Sequence, residues 1–598
     1  MIEQRLQSMR AAMASGDYAA LVIPRADEYL GEYIPAHNER LHWATGFTGS
    51  AGVALVLQDS AAIFVDGRYT VQVRQQVPAE SFEYLHLLDN PHIAWLATQL
   101  SAGARVLCDP RLHSRSWYLQ AAATLADAGI ELVASVDNLI DACWQDRPPA
   151  RIEPALLLEL EFTGEGSEEK RRRVGGLVAA EGADAALIFA PDSVSWLLNV
   201  RGTDVPMMPI LQSFALLESN GDITVLVNSA RIPEGFDQHV GSGCVLIEEA
   251  NAAQFLSNHK GRTILADAAG ANAWTQMLLE EGGATLLPGE DPALLPKARK
   301  NAVEVAGARN AHIRDAVAEV RFLAWLDAEV DAGRLHDEAT LSDQLYQFRQ
   351  QGDLFHGGSF DTISAAGSNA AMCHYNHNDG TPAQLTADSV YLVDSGAQYR
   401  DGTTDITRTV AIGDPGQEVK RLYTLVLKGH IALDQARFPR GTTGTHLDAL
   451  ARQFLWREGY DYDHGTGHGV GAFLSVHEAP QRVGRAWNKT ALQPGMIISN
   501  EPGYYRDGGF GMRCENLVVV TEVVDSPGEV AMLQFETLTL VPFDNRLLQP
   551  ELLSPAERDW INRYHQRVRE TIAPLVEGSD KEWLEKATRP VSEAQQAA

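Results

Sequence analysis

The fold is decided by the stretch Tyr391-Leu-Val-Asp394-Ser-Gly-Ala-Gln-Tyr-Arg-Asp-Gly-Thr-Thr-Asp405-Ile-Thr-Arg-Thr-Val410 together with its echo, Gly495-Met-Ile-Ile-Ser-Asn-Glu501-Pro-Gly-Tyr-Tyr-Arg-Asp-Gly-Gly-Phe-Gly-Met-Arg-Cys-Glu515-Asn-Leu-Val-Val-Val520. Both copies run the same way: an apolar strand, a carboxylate, the tetrapeptide Tyr-Arg-Asp-Gly, a second carboxylate, and an apolar or β-branched return strand. Asp-Gly between two such runs predicts a tight hairpin, because both residues tolerate positive φ. Asp394, Asp405, Glu501 and Glu515 sit among strand formers such as Leu392, Val393, Ile498 and Val518, so burial is expected. Burying four carboxylates without a cation costs more than one domain's net stability. They are therefore either protonated or holding metal.

Working outward, His464-Gly-Thr-Gly-His468-Gly-Val-Gly and then Val476-His477-Glu478 lie between the two copies. So many glycines make a poor helix and predict a tight loop. One imidazole added to four carboxylates is an oxygen-rich, nitrogen-poor donor set. It suits hard or borderline divalent ions such as Mn²⁺ better than the His- or Cys-rich sites of single zinc. Two cations would balance four carboxylates, with bridging acids holding them roughly 3.5–4 Å apart.

The chain of 598 residues is too long for one core, and its 45% hydrophobic and 21% charged composition is that of a globular protein. A net charge of −30 argues against nucleic acid or an anionic membrane surface as partner, and welcomes cationic peptide N-termini. The first residues, Met1-Ile-Glu-Gln-Arg-Leu, start an amphipathic helix with no signal-peptide core, and no apolar run approaches a membrane span. Cys108, Cys143, Cys244, Cys373 and Cys514 are scattered, with no Cys-x-x-Cys. They read as reduced thiols in a cytoplasm.

In chain order, a helix around Leu6, Met9 and Met13 precedes the strand Ala19–Pro24, the glycine-rich turn Gly46–Gly52, and strands at Val53–Leu57 and Ala61–Tyr69. After Arg147-Pro-Pro-Ala150 the same order recurs, offset by about 160 residues, with a helix from Glu168 and strands at Ala185, Ser213–Leu217 and Asp222–Val227. Two related α/β domains are expected, over 1–148 and 149–302. Neither carries a phosphate loop, since Gly46–Gly52 leads into a strand and not a helix. Lys297-Ala-Arg-Lys300 reads as a basic, exposed joint to a third domain, 303–598. That domain opens with a long helix from Val303. It then alternates helices with the hairpins, closes with a strand at Thr537–Pro542, and adds a helix after the capping box Ser554-Pro-Ala-Glu557. The last ten residues read as disordered.

On these motifs the third domain resembles the pita-bread metallopeptidases, the family of methionine aminopeptidase, prolidase and aminopeptidase P. His-Gly-Thr-Gly-His-Gly-Val-Gly, Asp-Gly-Thr-Thr-Asp, Asn-Glu-Pro-Gly-Tyr-Tyr and the three-domain layout look most like the long cytosolic Xaa-Pro aminopeptidases. The resemblance implies a multi-domain α/β chain: two related creatinase-like N-terminal domains, then a pita-bread α+β catalytic domain with a C-terminal helical extension. It also implies a homodimer, and peptides beginning Xaa-Pro as substrates. Carried over by residue, Asp394 and Asp405 bind the first metal, Asp405 and Glu515 bridge both, and His468 and Glu501 complete the second. A hydroxide between the two metals would be the nucleophile. Glu501 would also move its proton, and His477 would hydrogen-bond the scissile carbonyl. His374 and His464 would line the leaving-group side, and Tyr505 and Arg513 would shape the proline pocket. Arg68, in the first domain, would reach the site or remain a solvated turn residue. Two alternatives stand beside this reading: a prolidase confined to dipeptides, and a catalytically inactive pita-bread binding protein. His477 beside Glu478 also reads as an ordinary surface pair.

Overall fold

A computed structural model describes residues 2–592. The chain packs as two compact units, one of residues 1–160 with 165–296 and one of residues 161–164 with 297–598.

The first unit is built twice. Its first sheet uses the strands Ala20–Pro24, Val53–Leu57, Ala61–Val65, Glu83–His86, Arg105–Cys108 and Glu131–Ala134, in the spatial order fourth, third, second, first, fifth, sixth. The second sheet uses Ala185–Ile188, Ser213–Glu218, Ile223–Val227, Cys244–Glu248, Thr263–Ala266 and Thr285–Pro288 in the same order. Pairing directions also agree. The first strand is antiparallel to the second and parallel to the fifth, and the third is parallel to the fourth. The repeat expected from the sequence is therefore a repeat of topology. Helix Ile2–Ser15 buries Leu6, Met9 and Met13, the three residues its spacing singled out. The Gly46–Gly52 turn leads into a strand as expected, with Gly46 at φ +86° closing a short helix.

The second unit opens with the helix Ala302–Asp331, started by a capping box between Asn301 and Glu304. Helices Glu338–Arg349, Gln417–Asp434 and Gly444–Trp456 follow, packed with two main sheets. One has three strands, Ile363–Ala366, Ser389–Ser395 and Ile406–Ile412; the other has six and includes Gly467–Gly469, Ile497–Asn500 and Asn516–Glu522. Among the described residues no helix is long and apolar enough to cross a membrane.

Three expectations need correction. Lys297 and Lys300 are not an exposed joint. Both are buried, and both ammonium groups pair with the buried Glu478. The closing strand is Met532–Thr537, earlier than expected. Beyond it, Val541 O and Pro542 O accept hydrogen bonds from the Arg408 side chain instead of from a neighbouring strand. The helix Pro555–Ile572 has the expected capping box, and its apolar face (Trp560, Ile561, Tyr564, Val568, Ile572) packs into the second unit's main core. Of the last ten residues, 593–598 lie outside the described residues, while Val591 is buried and its N–H donates to Asn562 Oδ1 at 2.8 Å.

Candidate metal centre

The two motif copies fold on one plan. Ser389–Ser395 pairs with Ile406–Ile412, with Asp394 opposite Thr407 and Asp405 just before the return strand. Ile497–Asn500 pairs with Asn516–Glu522, with Glu501 just after one strand and Glu515 just before the other. Between the acids of each copy the chain makes a second, shorter ribbon: Ala397–Tyr399 with Gly402–Thr403, and Gly503–Arg506 with Phe510–Arg513. The Tyr-Arg-Asp-Gly tetrapeptide turns both ribbons. Positive φ is used only at Gly508, φ +67°. Gly402 serves a different need, because a Cβ there would stand 3.0 Å from Ala311 Cβ and 3.1 Å from Ala308 Cα on the helix Ala302–Asp331.

The glycines around His468 also differ from a tight loop. Gly467–Gly469 is a strand, and a Cβ at Gly467 would lie 1.9 Å from Ser499 O and one at Gly469 2.3 Å from Glu478 O. Glycine is required here so that three backbones can close on one imidazole, and not for a left-handed turn.

The acids converge. Asp394, Asp405 and Glu515 are buried at 7%, 4% and 1% exposure, and the ligand atoms of Asp405, His468 and Glu515 lie within 4.8 Å of one another. His468 Nδ1 donates to Gly469 O at 2.9 Å, which leaves Nε2 facing Asp405 Oδ2 at 3.4 Å and Glu501 Oε1 at 3.5 Å. Asp394 pairs through Oδ2 with Arg513, while its buried Oδ1 has no hydrogen-bond partner among the described residues. Two residues the sequence reading missed hold this geometry. Thr407 Oγ1 accepts from Arg513 Nε at 3.0 Å and donates to Glu515 Oε2 at 2.7 Å. Ser499 Oγ accepts from the His468 N–H at 2.9 Å and donates to Glu501 Oε1 at 3.1 Å. The signal was present: Thr407 is two residues after Asp405 and Ser499 two before Glu501, the spacing that shares a strand face.

Protonation tests whether this set fits a cation. Burial, against the pull of the Arg513 guanidinium, pushes Asp394 up to about 6. Burial also raises Glu501, and it raises Glu515 well above the usual carboxylate range, with Asp405 adding to the latter. Burial draws His468 down, but its hydrogen bond to Asp405 and the charge of Glu501 outweigh this and lift it to about 9. Every one of these shifts favours an added proton, so the acids outweigh the positive charge that Arg513 and His468 bring. With the orphaned Asp394 oxygen, the donor set fits divalent metal.

Other expected residues gather beside the acids. His464 Nδ1–H donates to Gly465 O at 2.7 Å, so Nε2 accepts from the Tyr505 hydroxyl at 2.8 Å; that hydroxyl in turn accepts from Arg513 Nη1 at 2.6 Å. The His477 ring meets the His468 ring edge-on, centroids 4.3 Å apart. His477 and Glu478 are no surface pair, since Glu478 is fully enclosed. His374 is half-buried in a turn whose preceding carbonyl, Cys373 O, accepts from Arg513 Nη2 at 3.4 Å. Burial pushes the Cys514 thiol up to about 12, leaving it inert. Arg68 belongs to the first unit, where Asp66 holds it through two hydrogen bonds of 3.0 and 2.8 Å.

Known proteins agree with this reading of the fold. The model of metallopeptidase family M24 matches residues 306–522, and its C-terminal region model matches 531–591. Two creatinase/prolidase N-terminal domain models match 5–143 and 146–304. Aminopeptidase P1 of Arabidopsis thaliana is 36% identical over 98% of this chain and 99% of its own. A probable Xaa-Pro aminopeptidase P of Neurospora crassa is 38% identical over 98% of this chain and 89% of its own. The crystal structure of an X-prolyl aminopeptidase from Caenorhabditis elegans, described as a cytosolic enzyme with a di-nuclear active site, covers 99% of this chain and 100% of its own at 32% identity and a TM-score of 0.94. Two creatinase-type domains ahead of a pita-bread domain, matched end to end, place the chain in metallopeptidase family M24, among its three-domain aminopeptidases P.

Proposed function

We propose that the protein is a metal-dependent aminopeptidase that removes the first residue from peptides beginning Xaa-Pro. The observation that carries this reading is the buried set of acids closed around His468, with an unpartnered carboxylate oxygen at Asp394. Asp394 and Asp405 would hold one divalent ion, His468 and Glu501 the other, with Asp405 and Glu515 shared; Mn²⁺ suits this oxygen-rich set. Bound there, the two ions supply Lewis acidity, polarising the scissile carbonyl and lowering the pKa of a water.

The chain's own residues do the rest. Glu501, the least buried of the four acids, takes the proton that the attacking water gives up and delivers it to the leaving prolyl nitrogen. His477 donates to the carbonyl oxygen as charge develops on it. Tyr505, fixed between His464 and Arg513, walls the proline ring, and His374 lines the same side. A prolyl amide has no N–H and a fixed φ, so a pocket that grips the ring and the free amine suits it better than an extended-backbone cleft. Arg68 is assigned to substrate contact from the family resemblance alone. The homodimer also rests on that resemblance, and the domain limits at 148 and 302 rest on the repeated order of elements in the sequence. A cytoplasmic setting is supported by five cysteines that form no disulfide among the described residues and by the description of the nematode relative.

The test is metal analysis combined with cleavage of a Xaa-Pro-Pro peptide, a Xaa-Pro dipeptide and a Xaa-Ala-Pro analogue. The tripeptide is expected to give the highest kcat/KM. A preference for the dipeptide would make the protein a prolidase, and full activity without metal would sink the reading altogether.

A further inference from the structure

The catalytic proposal does not use three of the most deeply enclosed charges in the second unit. Glu478 has a fully buried side chain; Oε1 accepts from Lys297 Nζ at 3.2 Å and Oε2 pairs with Lys300 Nζ. Both lysine side chains are 1% exposed. Burial draws the Lys300 ammonium down, and the charges of Glu478 and then Glu304 oppose this. Such a triad is a poor source of stability, because desolvating three charges offsets most of their attraction. What it does provide is position.

Glu478 is held from two sides. Its backbone stands opposite Gly469, next to His468, and its carboxylate is gripped by two lysines from the start of the unit's main segment. The residue immediately before it is His477, whose ring meets His468 edge-on. The lysine segment is itself fixed, with Lys300 N–H donating to Gly495 O at 3.1 Å at the base of the strand that leads to Glu501.

We propose that Lys297, Lys300 and Glu478 are positioning residues that set His477 over the acid cluster. This rests on the role given to His477 above. A small displacement of a carbonyl-binding donor is enough to slow turnover roughly ten- to hundredfold. Lys300→Met in the metal-loaded full-length protein is therefore expected to lower kcat by about that factor, while KM and metal content stay near those of the parent. Lys297→Met, which loses the longer contact, is expected to lower kcat less.

The deciding measurement is a double-mutant cycle. In the His477→Ala background, Lys300→Met is expected to cost little further kcat, because the group it positions is gone. Independent, multiplicative losses would overturn the proposal, as would a Lys300→Met protein that melts earlier yet keeps parental kcat. If both lysine variants fail to fold, the triad is structural only and the proposal falls. If His477→Ala itself keeps full kcat, the reading of His477 fails first and takes this one with it; if only His477→Ala slows turnover, the positioning role alone is refuted.

Discussion

The two acid-bearing hairpins share a plan, but only one of them is sealed. In the first, the turn residues Asp401 and Gly402 are buried; Asp401 pairs with Arg314, and Tyr399 donates to the buried Asp315 at 3.0 Å. In the second, Asp507 and Gly508 face solvent, and the corresponding Tyr505 reaches His464 and Arg513 beside the acids. The same tetrapeptide thus anchors one half to the helix Ala302–Asp331 and, in the other, sets a tyrosine among the residues beside the acids. A duplicated unit can divide its labour by what covers its turn.

Chelation is expected to disturb both halves most, abolishing turnover and making stability strongly dependent on pH. Asp394 has an ordinary value of 3.8 and about 6 in the fold, and His468 moves from 6.5 to about 9. Both are raised, so their contribution is fully present below the lower value and is lost as pH rises through the higher one. Glu501 and Glu515 shift in the same sense. The metal-free protein is therefore expected to melt progressively earlier from about pH 4 to about pH 9, relative to the metal-loaded form, in calorimetry. A flat difference would contradict the charge accounting.

Asp405→Asn and Glu515→Gln, one from each half, are each expected to lower kcat/KM on the order of a thousandfold and to reduce bound metal below two per chain. Elemental analysis that finds one half indispensable and the other not would break the symmetry. His477→Ala is expected to keep its metal and lose about 2–4 kcal/mol of transition-state stabilisation, read as kcat.

The turns separate next. Gly402→Ala must push against Ala308 and Ala311 and is expected to cost about 1–3 kcal/mol in chemical denaturation. Gly508→Ala meets no atom within 4 Å among the described residues and is expected to cost about 1 kcal/mol, for its positive φ alone. The smallest expected effects are those of the paired tyrosines, about 1 kcal/mol each. Tyr399→Phe is expected to appear in stability with kcat/KM unchanged, and Tyr505→Phe in kcat/KM with stability unchanged. The reverse assignment would mean that the exposed turn is the structural one.

The acids, the hairpins and the doubled N-terminal layout were legible because each leaves a local mark: alternation, a turn dipeptide, or a repeat in register. Thr407 and Ser499 were legible in principle from the two-residue strand period. The glycines near His468 were misjudged because a composition of glycines reports freedom of φ and closeness of neighbouring backbone alike. Only the partner strands, Ser499 on one side and Glu478 on the other, tell the two apart. Lys297 and Lys300 were misplaced on the surface because their counter-charge, Glu478, lies far along the chain, and no local pattern announces such a partner.

Arg408 makes the helix Pro555–Ile572 hard to remove. Its guanidinium donates to the carbonyls of Thr407, Glu515, Val541 and Pro542, to Asn516 Oδ1, and to the hydroxyl of Tyr564 on the helix. Anyone trimming the chain at the end of its peptidase motifs would cut away the covering Tyr564 and leave a buried cation short of an acceptor, one residue from Thr407 and hydrogen-bonded to the backbone of Glu515. A shortened enzyme would therefore be expected to lose core packing and the setting of its acids together, and the C-terminal extension is as much a part of the second unit as the hairpins themselves.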